Sequence, residues 1–165
     1  MFHVDSSFNP RRAGFSLLRA HELPSPGTGG GTEFADSRTA FAELPKDLKK
    51  ELLEKDYVAA HSLWHSRKKA SPLSPYLKDV EVEDYSFGRH KLVQIHEASG
   101  RLNLYIASHV HHLEYPEKDE NGAWVRVPEV EGTALVERLL QWCAQERFVV
   151  KVDWRENGDL IVWDK

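Results

Sequence analysis

Two residues near the start of the sequence have the chemistry of metal ligands. His3 and Asp5 are separated by one residue in the segment 3–5, HVD. If this segment is a strand, positions i and i+2 share a face, so the imidazole and the carboxylate project together. One histidine and one carboxylate are two of the three ligands in the facial triads that bind non-haem Fe(II). The spacing therefore indicates part of an iron site, although a polar strand end shows the same pattern.

A second group of candidate ligands lies in residues 109–114, HVHHLE. If a strand that begins at Asn103 continues to this point, His109 and His111 share a face and Glu114 lies near them. The pattern resembles the His-x-His…Glu metal motif of cupins, and histidine is a common metal ligand. The same histidines at the end of a strand are also consistent with solvated side chains or with contacts to a polar substrate.

Two further features have residues of chemical interest, a glycine-rich loop and a single cysteine. The glycine-rich loop that ends at Thr32 lacks the G-K-[ST] ending of a P-loop and does not open directly onto a helix, so it does not predict a phosphate site. The Thr32 hydroxyl can still donate a hydrogen bond to a carboxylate. Cys143 is the only cysteine, which excludes an intrachain disulfide and a zinc site built from cysteines. Its apolar neighbours favour a place in the core over a role as nucleophile.

The elements that must position these residues are mostly strands. Apolar runs between Gly/Pro turns predict strands over residues 12–23, 57–64, 92–96, 103–108, 148–154 and 160–163. Three helices are expected: one capped by Asp36 or Ser37 and running to Leu44, one opened by Pro45, and one over 132–145. Residues 67–89 and 116–130 are expected to be loops.

Strands dominate this pattern, and the helices look like insertions between them. We therefore predict a mainly β fold with inserted helices, an antiparallel β-sandwich or jelly roll, in a single domain over residues 1–165. A doubly wound parallel sheet would need regular alternation of strands and helices, which is missing.

Charge and hydropathy exclude several classes of function. The 165 residues carry 22 Lys+Arg against 26 Asp+Glu, a net charge of −4, which excludes a general nucleic-acid binder with a basic face. No apolar run approaches the roughly 20 residues of a membrane helix, and the first residues lack the features of a signal peptide. We expect a cytoplasmic protein with no nucleic-acid or membrane partner.

Four segments cover nearly the whole chain: HVDSSFNPRRAGFSLL (3–18), PSPGTGGGTEFADSRTAFAELP (24–45), HKLVQIHEASGRLNLYIASHVHHLE (90–114) and FVVKVDWRENGDLIVWD (148–164). Together, and in this order, they resemble the TauD/TfdA family, the taurine and chlorophenoxyacetate dioxygenases that depend on Fe(II) and 2-oxoglutarate. The chain looks most like the fungal members of the family, and the resemblance implies a double-stranded β-helix of the clavaminate synthase-like type.

The resemblance assigns roles to five residues. His3 and Asp5 match the family's two proximal iron ligands, and Thr32 matches the threonine whose hydroxyl meets a carboxylate of 2-oxoglutarate. His109 and His112 fall where the chlorophenoxyacetate branch has histidines near the substrate. The implied activity uses Fe(II), 2-oxoglutarate and O2 to hydroxylate a small organic substrate while 2-oxoglutarate is decarboxylated to succinate.

The chain also departs from the family pattern. The family's distal histidine ligand and the arginine that binds the far carboxylate of 2-oxoglutarate follow the closing strand, whereas this sequence stops at Lys165. We therefore expect an incomplete jelly roll, truncated at both ends, whose 165 residues alone are inactive or very weakly active.

Two alternative functions stay open on the sequence. The first is a catalytically inactive remnant that binds a partner or forms a homo-oligomer through exposed sheet edges. The second is a cupin-like metal protein that uses His109, His111 and Glu114.

Overall fold

The computed structural model describes residues 2–165, which form ten strands and four α-helices; Met1 lies outside the described residues. The strands are β1 (Phe15–Arg19), β2 (Glu33–Ala35), β3 (Val58–His61), β4 (Gly88–Lys91), β5 (Val93–His96), β6 (Arg101–Leu104), β7 (Val110–Lys118), β8 (Trp124–Arg126), β9 (Val149–Lys151) and β10 (Leu160–Asp164). The helices are α1 (Ser37–Ala42), α2 (Lys46–Lys55), α3 (Leu63–Ala70) and α4 (Glu129–Cys143), and short 3₁₀ helices cover Pro75–Leu77, Val82–Asp84 and Glu146–Phe148.

All strand pairs in the described residues are antiparallel. The largest sheet has the order β4-β3-β7-β8, and three two-stranded sheets pair β1 with β10, β2 with β9 and β5 with β6. The pairs β1–β10 and β2–β9 join segments more than 100 residues apart, so the two ends of the chain lie together. The predicted class, mainly β with inserted helices, is confirmed.

Several predictions that rest on neighbouring residues, such as helix caps and turns, are confirmed. Asp36 caps α1, and its carboxylate accepts hydrogen bonds from the backbone N–H groups of Arg38 and Thr39. Burial raises the pKa of Asp36, but hydrogen bonds from Thr39 and Arg38 outweigh it and lower the pKa to about 2. The hairpin predicted over 92–108 forms from β5 and β6, with Gly100 in the left-handed region at φ 65°.

The closing strands differ from the prediction in their partners. The sequence suggests two strands flanking one turn, but β9 pairs with β2 and β10 pairs with β1. Residues 116–130, predicted as a loop, contain the end of β7 and all of β8. Asp119 stabilises the turn between β7 and β8, since its carboxylate accepts hydrogen bonds from the backbone N–H groups of Asn121 and Ala123.

The strand predicted over residues 57–64 is shorter than expected. β3 ends at His61, and α3 begins two residues later because the Ser62 hydroxyl caps it, accepting a hydrogen bond from the His65 N–H at 3.2 Å. The strand predicted from Asn103 likewise stops at Leu104, so residues 105–109 connect β6 to β7 as a loop.

The hydrophobic core lies between α1, α2 and α4 and the sheets they cover. Leu48 and Leu52 of α2 are buried as predicted, whereas Leu53 is half-exposed. Leu139 and Cys143 place the inner face of α4 in the same core, and burial raises the pKa of the Cys143 thiol to about 12. Among residues 2–165, no helix combines the length and the apolar character that a membrane span requires.

Candidate metal and co-substrate site

His3 and Asp5 lie together, as the sequence predicts. His3 Nε2 is 3.0 Å from Asp5 Oδ1, and both side chains are about half-exposed. The expected strand is absent, however, because residues 2–4 belong to no sheet and the chain turns over residues 5–8. The backbone N–H of Ser7 donates to the Val4 carbonyl at 3.2 Å and closes this turn. A turn, not a strand face, therefore brings the imidazole and the carboxylate together.

The second oxygen of Asp5 has two further neighbours from distant parts of the chain. The Ser16 hydroxyl donates to Asp5 Oδ2 at 3.5 Å. The Lys165 ammonium lies 3.8 Å from the same oxygen and donates to the Asp5 carbonyl at 3.1 Å, and its side chain is 3% exposed. These contacts join the first and last described segments at the candidate ligand pair.

His3 and Asp5 line an open cavity of about 970 Å³. Thr32 lines the same cavity, and the Trp154 indole N–H donates to its hydroxyl oxygen at 3.2 Å. Because this oxygen accepts a hydrogen bond from Trp154, the Thr32 O–H itself is available to donate to a carboxylate. The cavity also contains two cationic side chains, Arg38 and Lys165. One cavity thus holds all three residues assigned to iron and 2-oxoglutarate.

The donor chemistry of this site fits an iron ion. An imidazole nitrogen and a carboxylate oxygen converge there, and both are ligands that Fe(II) takes in facial triads. Within residues 2–165, no group of three histidine, cysteine, aspartate or glutamate side chains is placed to hold a metal ion. His3 and Asp5 are thus the two side chains of the candidate site with the chemistry to bind such an ion.

The two histidines assigned to the substrate lie in different environments. His109 is buried beside His3, with its ring edge-on to the His3 ring at a centroid distance of 5.8 Å. Burial lowers the pKa of His109. His112 instead forms a hydrogen bond with the ring of His111, and its Nε2 lies 2.9 Å from Glu114 Oε1. His112 is not among the residues that line the cavity. The structure thus brings His109, but not His112, to the candidate ligand pair.

The cupin-like metal set does not form in the described residues. His109 turns towards His3, whereas the His111 ring stacks on Phe87 at 5.4 Å. Glu114 is 1% exposed, and its two oxygens accept hydrogen bonds from the Arg89 guanidinium at 2.8 and 3.0 Å. Its burial raises the pKa of Glu114, but hydrogen bonds from His112 and Arg89 outweigh it and lower the pKa. Glu114 is thus the ion-pair partner of Arg89.

Sequence reasoning missed three residues that form a cluster next to the candidate pair. Ser7 follows Asp5 by two residues, and its hydroxyl and carbonyl oxygens contact His61 and His90. Ser7 and His90 lie in segments that carry the family resemblance but without an assigned role, whereas His61 ends the apolar run YVAA, where a histidine signals a buried polar contact.

The fold is mainly antiparallel β with inserted helices, and it places a histidine–carboxylate pair, His3 and Asp5, in one cavity. The sequence matches the family described as "Taurine catabolism dioxygenase TauD, TfdA family" over residues 1–164, and the chain belongs to this family. The resemblance stated from the sequence is thereby confirmed.

Related proteins are similar along the whole of this chain. It is 34% identical over 171 residues to the alpha-ketoglutarate-dependent 2,4-dichlorophenoxyacetate dioxygenase of Burkholderia sp. (strain RASC), with 99% of this chain and 49% of the relative covered. It is 31% identical over 170 residues to the (S)-phenoxypropionate/alpha-ketoglutarate-dioxygenase of Sphingobium herbicidovorans, covering 99% and 53%. The chain thus spans about half the length of the curated relatives it matches.

A solved structure confirms the jelly-roll fold. The crystal structure of AAD-2 in complex with Mn(II) and N-oxalylglycine matches with a TM-score of 0.79 and 32% identity, over 99% of this chain and 57% of that one.

Proposed function

We propose that this protein is an Fe(II)- and 2-oxoglutarate-dependent dioxygenase that hydroxylates a small organic substrate and converts 2-oxoglutarate to succinate. The observation that carries the proposal is the convergence of His3 and Asp5, 3.0 Å apart, in a cavity shared with Thr32. The relatives support it, since their names describe alpha-ketoglutarate-dependent dioxygenases.

Each residue has a separate task in this proposal. The His3 imidazole and the Asp5 carboxylate would hold the iron, and the Thr32 hydroxyl would donate to a carboxylate of 2-oxoglutarate. Bound iron would supply the O2 chemistry that decarboxylates 2-oxoglutarate and oxidises the substrate. Phe34 and Trp163, whose rings lie 4.9 Å apart, contribute apolar surface to the cavity wall.

We also propose that His109 and His112 contact the substrate. His109 has the stronger support, because its ring lies against His3 at the candidate metal site. The His112 ring is held by Glu114 Oε1 at 2.9 Å, so a substrate contact there uses the face of the ring or follows a change of partner.

The metal site is tested by titrating the chain with Mn(II) in place of Fe(II), with and without N-oxalylglycine. We expect wild-type protein to bind Mn(II) and to bind it more tightly with N-oxalylglycine. His3→Ala and Asp5→Ala each remove one of two protein ligands, so each is expected to weaken Mn(II) binding by more than about 100-fold, beyond the range for loss of an outer-shell partner. Isothermal titration calorimetry measures the affinities.

His111→Ala is the matched control, because it removes a histidine outside the cavity lining. The proposal predicts an unchanged Mn(II) affinity for this variant, whereas a cupin-like site predicts its loss. Succinate formation from 2-oxoglutarate, Fe(II) and O2 then separates the two remaining functions. Mn(II) binding without any succinate formation assigns the 165-residue chain to the inactive class, and no Mn(II) binding contradicts the metal site altogether.

We further propose that a second copy of this chain covers the outer face of the β1–β10 sheet. Four apolar side chains are exposed on this face: Phe15 (65%), Leu17 (65%), Val162 (57%) and Leu160 (55%). Leu17 and Val162 are direct partners in the register, and the sheet has only two strands, so each strand has an edge without a sheet partner. Exposed apolar faces and unpaired edges favour self-association.

Sedimentation velocity tests this interface. We expect wild-type protein to self-associate at micromolar concentration and the double variant Leu17→Lys, Val162→Lys to be monomeric, because two charges cannot be buried without partners. The control is Val130→Lys, which adds a charge at an exposed position of α4 and leaves the interface intact. A monomeric wild-type chain across the concentration range would contradict the proposal.

A cytoplasmic location is also proposed. It is supported by the cysteine content, because a chain with one cysteine, Cys143, has no intrachain disulfide, as suits a reducing compartment. Cell fractionation with an antibody to the protein tests it, and recovery in a membrane or secreted fraction would contradict it.

A further inference from the structure

Ser7 is a buried polar residue on which three histidines converge. Its side chain is 0% exposed, and its hydroxyl lies 3.0 Å from His61 Nδ1 and 3.3 Å from His109 Nδ1. Its carbonyl oxygen accepts a hydrogen bond from His90 Nε2 at 2.8 Å. The histidines come from the end of β3, from β4 and from the loop before β7. Residues in the main sheet and in the loop next to it thus contact both the side chain and the backbone of Ser7.

The hydrogen bonds of Ser7 require a defined arrangement of protons. A serine hydroxyl carries one proton, so it donates to one imidazole and accepts from the N–H of the other. Both rings are buried, and burial of a histidine favours its neutral form, which has one N–H and one acceptor nitrogen. The Nδ1 atoms of the two neutral rings and the Ser7 hydroxyl therefore satisfy each other when one ring carries its proton on Nδ1 and the other does not.

The segment that carries Ser7 lies in direct contact with β4. A Cβ atom at Gly88 would lie 2.3 Å from the Ser7 carbonyl oxygen and 2.6 Å from the Phe8 carbonyl carbon. Gly88 is the residue that permits this close approach, because any side chain there would displace the segment. The hydrogen bond from His90 then fixes the Ser7 carbonyl where the two backbones meet.

Ser7 is linked to the candidate ligand pair in two ways. It follows Asp5 by two residues in the same turn, in which its N–H donates to the Val4 carbonyl. The ring of His109, which contacts the Ser7 hydroxyl, also lies edge-on to the ring of His3. Residues 2–5 belong to no strand, so the pair is held by these contacts together with those of Ser16 and Lys165 to Asp5 and the hydrogen bond from the Ser108 N–H to the Phe2 carbonyl.

We propose that Ser7 is a positioning residue for the metal site: held by His61, His90 and His109, it fixes the turn that presents His3 and Asp5 to the ion. This inference rests on the proposed function, since it assumes a metal at His3 and Asp5. Residues that orient metal ligands from outside the coordination sphere typically contribute 10- to 100-fold to metal affinity.

The test measures Mn(II) affinity of the 165-residue chain and three variants. Ser7→Ala removes the hydroxyl and is expected to weaken Mn(II) binding by about 10- to 100-fold. His61→Asn keeps a hydrogen-bonding atom near the position of Nδ1 and is expected to retain most of the affinity. His61→Gln places its amide near the position of Nε2 instead and is expected to weaken binding as Ser7→Ala does. A merely structural role for His61 would not separate Asn from Gln in this way.

Leu52→Ala is the control for lost stability, because Leu52 is buried in α2 away from the cavity. We expect it to lower the melting temperature without changing Mn(II) affinity. Wild-type affinity in Ser7→Ala, equal affinities in the two His61 variants, or an equal loss in Leu52→Ala would each overturn the positioning role while leaving the metal site intact. Absence of Mn(II) binding by the wild-type chain would overturn the proposed function, and this inference with it.

Discussion

Lowering the pH from 7 to 5 is expected to destabilise the protein strongly. Histidines that are buried and neutral in the folded state take up protons in the unfolded state, which shifts the equilibrium towards unfolding. Burial lowers the pKa of His61 to about 3, with a further contribution from the neighbouring His90. Burial likewise lowers the pKa of His65 to about 4, with His111 as the next cause. In the unfolded chain both side chains titrate near 6.5.

The sign of the effect follows from proton counting. Between about pH 6.5 and the folded-state pKa, the unfolded state binds more protons than the folded state, so the free energy of unfolding rises with pH. His61 alone is expected to remove about 1.4 kcal/mol for each pH unit below 6.5, or about 2 kcal/mol at pH 5. His65, which is less buried, adds a smaller loss. Proteins typically have a free energy of unfolding of about 5–15 kcal/mol, so this loss is a large fraction of the total.

Urea denaturation at pH 7 and pH 5 measures this loss. His61→Asn is the matched variant, because it lacks the titrating ring and should lose about 2 kcal/mol less between the two pH values than wild-type protein. Asp36, with its pKa near 2, stays ionised over this range and does not contribute. Equal urea midpoints for wild-type protein at pH 7 and pH 5 would show that these histidines are not held neutral by burial.

Gly88→Ala is expected to damage both the fold and the metal site. The new Cβ would lie 2.3 Å from the Ser7 carbonyl oxygen, a distance at which something must move, and the atoms in its way are backbone atoms that cannot rotate aside. Overpacking of this kind typically costs about 1–3 kcal/mol. Moving Ser7 away from β4 would also break the hydrogen bond from His90. We therefore expect Mn(II) affinity to fall by at least about tenfold, as for other partners that orient metal ligands.

Gly14→Ala is the control for this substitution. Nothing lies within 4 Å of a Cβ at Gly14, its φ is outside the left-handed region, and it does not line the cavity, so an alanine fits without strain. Thermal unfolding and Mn(II) titration of the two variants separate a general effect of alanine from the clash at Ser7. A Gly88→Ala protein that melts and binds Mn(II) like wild-type protein would contradict the close approach of the two segments.

The amino-acid sequence by itself determined the elements whose signals are local. Asp36 places the start of α1, Pro45 places the start of α2, and the Gly100 turn fixes the β5–β6 hairpin. Each depends on contacts between residues a few positions apart, so the interacting residues are neighbours in the sequence. The motifs from His3 to Asp164 indicated the family for the same reason, since each is a short run of neighbouring residues.

The sequence also predicted which residues meet in the candidate site, but not how. His3 and Asp5 are adjacent as expected, yet a turn positions them instead of a strand. Their contact with Lys165 joins residues 160 positions apart. No pattern along the chain encodes such a separation.

Only the tertiary structure decided the strand partners, the ion pair of Glu114 and the convergence of His61, His90 and His109 on Ser7. β9 and β10 could have paired with each other across one turn, but each pairs with a strand from the first third of the chain. Long-range pairing depends on which surfaces fit and bury one another, and it leaves little trace in the local sequence. The same is true of Ser7, because its role comes from three side chains that become its neighbours only when the chain folds.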